Sequence, residues 1–291
     1  MNAGAAADAC GTARNGTEAP CFVEDPARMT KVDPQRRFGG VARLYGDHAT
    51  DRLAAVRVCV IGVGGVGSWA AEALARSGVG RIALIDLDHV AESNINRQVH
   101  ALDETLGQAK VFAMAARIRA INPHARVDAV DEFITPENVA VHLCAFDMVF
   151  DAVDNVRAKV AIAAWCRDQA MPLVMAGGAG GKRDPARIRV ADLSRTEQDP
   201  LLAKVRRCLR SDHGFSRDPR RRFGIEAIYS DEPVAYPEAA CAATSAPQGL
   251  ACAGYGSSMM MTASVGLLLA ARGIERLLAE PAAPARHPEA R

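Results

Sequence analysis

The stretch "VRVCVIGVGGVGSW" (56–69) constrains the fold more than any other part of the chain. Its continuous apolar run suits a strand buried on both faces. Gly62, Gly64 and Gly67 then complete G-x-G-x-x-G. "SWAAEALARSG" (68–78) follows with helical apolar spacing, and Gly78 and Gly80 act as stop signals. In a strand–turn–helix unit of this kind, backbone N–H groups at the helix start can hold phosphate oxygens. A tight turn without a ligand would use the same glycines.

The pattern repeats downstream. "RIALIDLD" (81–88) reads as a second buried strand that brings Asp86 to the place of a ribose-binding carboxylate. "GQAKVFAMAARIRAINP" (107–123) has helical spacing that ends near Pro123, and "ARVDAVDEF" (125–133) reads as a strand. "TPENVAVHL" (135–143) suggests a short helix with Thr135 as N-cap and Pro136 at its first position. "FDMVFDAVD" (146–154), "NVRAKVAIAAWCRDQ" (155–169) and "PLVMAGG" (172–178) continue as strand, helix, strand. This alternation predicts an α/β, Rossmann-like, mostly parallel sheet with flanking helices and right-handed crossovers. Its ligand belongs beyond the carboxyl ends of the strands. A single domain over 33–278 is expected. Residues 1–32 and 279–291 lack apolar periodicity and read as disordered.

Glycines alone do not separate a dinucleotide from ATP; the cations downstream discriminate. Hydride transfer breaks no phosphate bond. Attack of a carboxylate on an α-phosphate builds negative charge that fixed cations must neutralise. Arg97, Lys110 and then "DAVDNVRAK" (151–159) follow the turn, and Asp154 at a strand end suits the Mg²⁺ that accompanies ATP. Each residue also has a plainer reading. Lys110 alone would be a solvated lysine, Asp154–Asn155 would cap a helix, and Asn94 and Asn96 would form turns. Asp88 has no role beyond ending its strand.

"GVGGVGS", "DLDHVAESNINRQ", "GQAK", "INP" and "DAVDN" resemble, in order and spacing, the adenylation domain of the ubiquitin-activating-enzyme-like superfamily. The resemblance implies that Gly65 and Asp86 hold the adenosine side, while Gly62, Gly64 and Gly67 form the nucleotide-binding turn. It further implies Ser93, Asn94 and Arg97 at the phosphates, Lys110 at the α-phosphate and Asp154 on the metal. In that superfamily an arginine near the start reaches the γ-phosphate across a dimer. Arg37 is the candidate here, although Gly40 falls where a second arginine is usual and a helix-surface ion pair would also explain it.

Carrier-adenylating bacterial members usually carry two C-x-x-C pairs for zinc, and this chain has none among its eight cysteines. "RRFGGVARLYGDHA" (36–49), the stretch from "GGAGGKRDPARIRV" (177–190) through 210, "VAYPEA" (234–239) and "CAGYGSSMMMTASVG" (252–266) resemble the tRNA threonylcarbamoyladenosine dehydratases. The implied reaction adenylates the threonyl carboxylate of a modified tRNA adenosine, then closes a ring with loss of AMP. The implied cofactors are ATP and Mg²⁺. The implied partners are tRNA, a second copy of the chain as homodimer, and a possible sulfur-transfer protein. Cys252, and less so Cys241, are candidates for a reactive thiol. Ala227 replaces a cysteine frequent in these relatives.

The net charge is +1, yet residues 182–222 hold thirteen Lys/Arg against six Asp/Glu, a local excess of seven. With few aromatics there, RNA-backbone contact is favoured over base stacking; a solvated helix and loop is the plainer reading. "SRDPRRRFG" (216–224) reads as a mobile loop that orders on RNA. No charge appears from 239 to 271; interrupting Gly, Ser and Thr favour a buried helix over a membrane span. Dispersed cysteines and no secretory start point to the cytoplasm. The rival functions are adenylation of a sulfur-carrier protein ending in Gly-Gly, an NAD-dependent dehydrogenase, and a non-catalytic nucleotide-binding scaffold.

Overall fold

The computed structural model describes residues 32–235 and 256–279. Most of both terminal segments, and residues 236–255 with Cys241 and Cys252, lie outside the described residues. Two helices open the described chain, α1 (Pro34–Tyr45) and α2 (Ala49–Ala55). Then come β1 (Arg57–Ile61), α3 (Gly67–Arg76), β2 (Arg81–Ile85), α4 (Lys110–Ile121), β3 (Arg126–Val130) and α5 (Val139–Leu143). The second half adds β4 (Met148–Asp151), α6 (Val156–Asp168), β5 (Leu173–Ala176), β6 (Ile188–Asp192), α7 (Pro200–Asp212), β7 (Glu226–Ser230) and α8 (Met259–Ala279).

The strands form one sheet in the order β3-β2-β1-β4-β5-β7-β6. All neighbours are parallel except β6 and β7. The expected mostly parallel, Rossmann-like architecture is what forms. Strand alternation divides β1 between two cores. Val58 and Val60 pack with α3, α4 and α8, whereas Cys59 and Ile61 pack with α5, α6 and α7. Both faces are covered, which is why the strand reads as an unbroken apolar run.

The charge-free stretch becomes α8, packed on α3 and the sheet. A Cβ on Gly266 would lie 2.3 Å from Val66 O, and one on Gly273 would lie 2.1 Å from the Phe150 ring. Small residues permit this approach. No helix among the described residues is long and apolar enough to cross a membrane.

Several element ends differ from the sequence expectation, each for a local reason. β2 stops at Ile85 because the Asp86 carboxylate takes the N–H groups of Asp88 and Val63. β4 stops at Asp151, whose carboxylate takes the Val153 N–H. Thr135 is not the cap of α5. Asn138 Oδ1 accepts from Thr135 N at 2.7 Å, which folds 135–138 into a turn, and the helix starts at Val139. The loop 216–224 is anchored: Asp192 accepts from Phe223 N and Gly224 N, and Phe215 meets Phe223 edge-on at 4.8 Å.

Candidate nucleotide site

The reversal of strand order places β1 between β2 and β4, and the glycine turn emerges in that crevice. Gly62 has φ +82°, and a Cβ there would sit 2.9 Å from the backbone of Ala152 and Val153. A Cβ on Gly67 would fall 1.8 Å from Gly62 O. Neither position accepts a side chain. α3 begins at Gly67 with no side chain capping it, and although Ser68 N donates to Gly64 O, a helix start of this kind suits an anion.

Asp86 is buried at the tip of β2. Its Oδ2 accepts from Val63 N at 2.6 Å and its Oδ1 from Asp88 N at 2.9 Å. Burial raises its pKa, while the Lys110 charge and the two N–H bonds oppose that rise. The carboxylate therefore braces the glycine turn and keeps lone pairs for a ribose hydroxyl.

Residues 92–97 wrap over the turn. Asn94 is buried and accepts from Ala91 N, a turn-forming bond, while Ser93 is exposed. Arg97 donates to Ser93 O at 2.6 Å and Asn96 Oδ1 at 2.9 Å. Its backbone carbonyl accepts from Trp69 Nε1 of α3. A Cβ on Gly65 would meet Thr262 Cγ2 at 3.1 Å and Arg97 Cγ at 3.4 Å. Gly65, Arg97 and the start of α8 therefore share one wall.

Lys110, first residue of α4, is nearly buried and donates to Asp88 Oδ2 at 2.6 Å. It is not a solvated lysine. Asp154 lies exposed directly after the Ala152–Val153 backbone that touches Gly62, and its carboxylate has no hydrogen bond or ion pair among the described residues. Asn155, not Asp154, caps α6. A free carboxylate beside a glycine turn of this kind fits Mg²⁺, which binds one or two carboxylates plus substrate phosphates. Among the described residues no three His, Cys, Asp or Glu side chains gather to hold a metal by themselves.

Arg37 is not brought to this site within the chain. It donates to Ile121 O at the far end of α4, about 17 Å from Lys110 by helix rise. That backbone bond replaces the ion pair considered from sequence.

Four residues carry roles that sequence reasoning missed. Asp88 holds Lys110. Buried Gln98 has its amide nitrogen 4.0 Å from where a Gly64 Cβ would be, and its Oε1 has no partner among the described residues. Asp151 and Lys159 form a fully buried ion pair at 3.0 Å under the 152–154 loop. Gln98 lies inside a quoted motif, yet neither periodicity nor charge distinguishes it. The buried lysines signal themselves only once burial is known.

The basic segment is less uniform than its composition. Lys182 is buried with its ammonium donating to the carbonyls of Gln198, Ser230 and Glu232, so it is not available to RNA. Arg187 and Arg189 pair with Asp231. Arg206, Arg207, Arg210 and Arg217, with Ala203 and Ser211, line a groove of about 440 Å³ that has no carboxylate in its wall. Burial and then the neighbouring Arg210 charge lower the Arg206 pKa. A groove lined by four arginines suits an anionic partner.

The ThiF family profile matches residues 38–287. The chain belongs to the ThiF family. Its relatives include the tRNA threonylcarbamoyladenosine dehydratase of Escherichia coli (strain K12), 46% identical over 256 residues, covering 85% of this chain and 96% of that protein. The Haemophilus influenzae protein of the same name is 44% identical over 252 residues, covering 86% and 97%. Among solved structures, the E. coli tRNA N6-threonylcarbamoyladenosine dehydratase in complex with ATP superposes with a TM-score of 0.77 at 46% identity, covering 84% of this ThiF-family chain and 95% of the other.

Proposed function

We propose that this chain is an ATP-dependent tRNA threonylcarbamoyladenosine dehydratase that works by carboxylate adenylation. The near end-to-end match to the E. coli dehydratase carries the reading, because it spans the strand–helix core and the later basic segment alike. A relative sharing only the nucleotide-binding core would leave the substrate open.

In the proposed reaction the threonyl carboxylate oxygen attacks the α-phosphorus of ATP and pyrophosphate leaves. The carbamoyl oxygen then attacks the activated carbonyl carbon, the ring closes, a proton is lost and AMP departs. Carboxylate oxygen is a poor leaving group and AMP a good one. Gly62, Gly64 and Gly67 with the start of α3 cradle the phosphates, and Gly65 and Asp86 hold the adenosine side. Ser93, Asn94, Arg97 and Lys110 approach the phosphates, and the two cations stabilise charge as it builds. Asp154 would hold Mg²⁺, which supplies neutralisation of the phosphate oxygens. Attack from within one molecule supplies proximity. The four-arginine groove offers the tRNA backbone a positive wall. The working unit would be a homodimer of domains spanning 33–278, in the cytoplasm, with a sulfur-transfer protein as a further partner. Arg37 across the dimer and Cys252 as a thiol belong to the same proposal.

The test is incubation with ATP, Mg²⁺ and tRNA carrying threonylcarbamoyladenosine, followed by nucleoside mass spectrometry. The expected product is lighter by about 18 mass units, one water, as ring closure on an activated carboxyl requires. No mass change, with pyrophosphate exchange driven by a Gly-Gly carrier protein, would favour the carrier-adenylating alternative.

A further inference from the structure

Lys110 and Asp88 are joined twice. Lys110 N donates to Asp88 O at 2.9 Å, and Lys110 Nζ donates to Asp88 Oδ2 at 2.6 Å. Val90 N to Gln108 O, Gly107 N to Val90 O and the antiparallel bridge His89–Ala109 extend the backbone contact into a short ribbon. The ribbon fixes where the lysine side chain begins, and the carboxylate fixes where it ends.

The partners are unequally placed. The Lys110 side chain is 7% exposed and that of Asp88 is 57% exposed. A buried ammonium stripped of its counter-charge is strongly penalised, whereas a carboxylate released at the surface is simply rehydrated. The pair can therefore exchange partners only one way, with Asp88 let go and an incoming anion taken up by Lys110. The other groups that feel the lysine charge do not replace Asp88. Asp86 is already engaged by two backbone N–H groups, and the His100 imidazole is held neutral by burial and by Lys110 itself.

We propose that Asp88 is a positioning residue, the exchangeable counter-ion of Lys110. It parks the ammonium beside the glycine turn, yields it to an arriving nucleotide phosphate and takes it back as AMP leaves. This rests on Lys110 being a phosphate ligand, as read above.

The test compares Asp88→Asn, Asp88→Glu and Lys110→Ala with the unaltered protein by calorimetric titration with ATP and AMP, by thermal melting with and without ATP, and by steady-state turnover. Asp88→Asn removes the charge and keeps the shape. It is expected to bind both nucleotides about five- to tenfold more tightly, a normal size for coupling between sites. Its ATP-induced rise in Tm exceeds that of the unaltered protein, and kcat and the KM for ATP both fall because AMP leaves slowly. Asp88→Glu restores the charge and reverses these effects. Equal or weaker binding by Asp88→Asn overturns the proposal, since a purely structural aspartate would lower stability without tightening nucleotide. Folding of that variant only in the presence of ATP supports the proposal, and failure to fold even then overturns it. Lys110→Ala separates the two levels. If it binds and turns over normally, the phosphate role of Lys110 fails and this proposal with it. If it is impaired while Asp88→Asn binds normally, only the counter-ion role fails.

Discussion

The Asp151 carboxylate accepts a hydrogen bond from the Lys159 ammonium at 3.0 Å, and neither side chain is exposed to solvent. Asp151 also accepts from Val153 N, so the pair holds down the loop that leads to Asp154. Burial raises the Asp151 pKa and the lysine charge opposes that. Removing one partner leaves a buried charge unpaired. Lys159→Met is expected to destabilise the fold by about 3–5 kcal/mol, and the double variant Asp151→Asn/Lys159→Met to recover most of it. Urea unfolding checks both; a double variant no better than the single one would refute the assignment.

His100 predicts a pH dependence. It is 2% exposed, neither ring nitrogen has a hydrogen-bond partner among the described residues, and burial, Lys110 and Arg117 lower its pKa to about 4. The unfolded chain therefore binds this proton near pH 6.5 and the folded chain only near pH 4. Between those values the unfolded state carries more protons, so stability falls as pH falls, by about 1.4 kcal/mol per pH unit from this group. Urea midpoints across that window should drop less steeply in His100→Leu. Identical slopes would contradict the burial argument.

The glycine turn separates a folding role from a binding role. A Cβ at Gly67 meets a backbone oxygen that cannot move aside, whereas one at Gly65 meets side-chain atoms. Gly67→Ala is expected to lose about 3 kcal/mol of stability. Gly65→Ala should fold and bind ATP about tenfold more weakly, a loss of about 1.4 kcal/mol. Melting curves and ATP titration on both variants decide.

These contrasts show what was legible in the chain. The sheet could be read because Val58, Cys59, Val60 and Ile61 are all buried, so the apolar run is continuous. The ends of strands could not. They are set by carboxylates that capture nearby N–H groups, at Asp86 and Asp151, and a one-dimensional pattern does not show where such a side chain turns. The residues proposed to face the phosphates stand in contiguous motifs. Asp88 went unread because its partner is 22 positions away, joined by a ribbon of loop residues without periodicity. Lys182 counts among the surface cations by composition because its three carbonyl partners lie 16, 48 and 50 positions away along the chain.

The four-arginine groove predicts a salt effect. Arg207→Ala and Arg217→Ala should each weaken tRNA binding and reduce the slope of log affinity against log salt by about 0.7–0.9 per lost phosphate contact. ATP affinity should stay unchanged. Filter binding at several salt concentrations reads this out; an unchanged slope would place the RNA elsewhere.

The most direct test of the account is to count AMP against cyclised nucleoside in one reaction of the unaltered protein with ATP, Mg²⁺ and tRNA carrying threonylcarbamoyladenosine. Adenylation of the carboxylate predicts equimolar AMP and cyclised product, with neither formed by Lys110→Ala. Cyclised product accompanied by ADP, or full yield from Lys110→Ala, would contradict it.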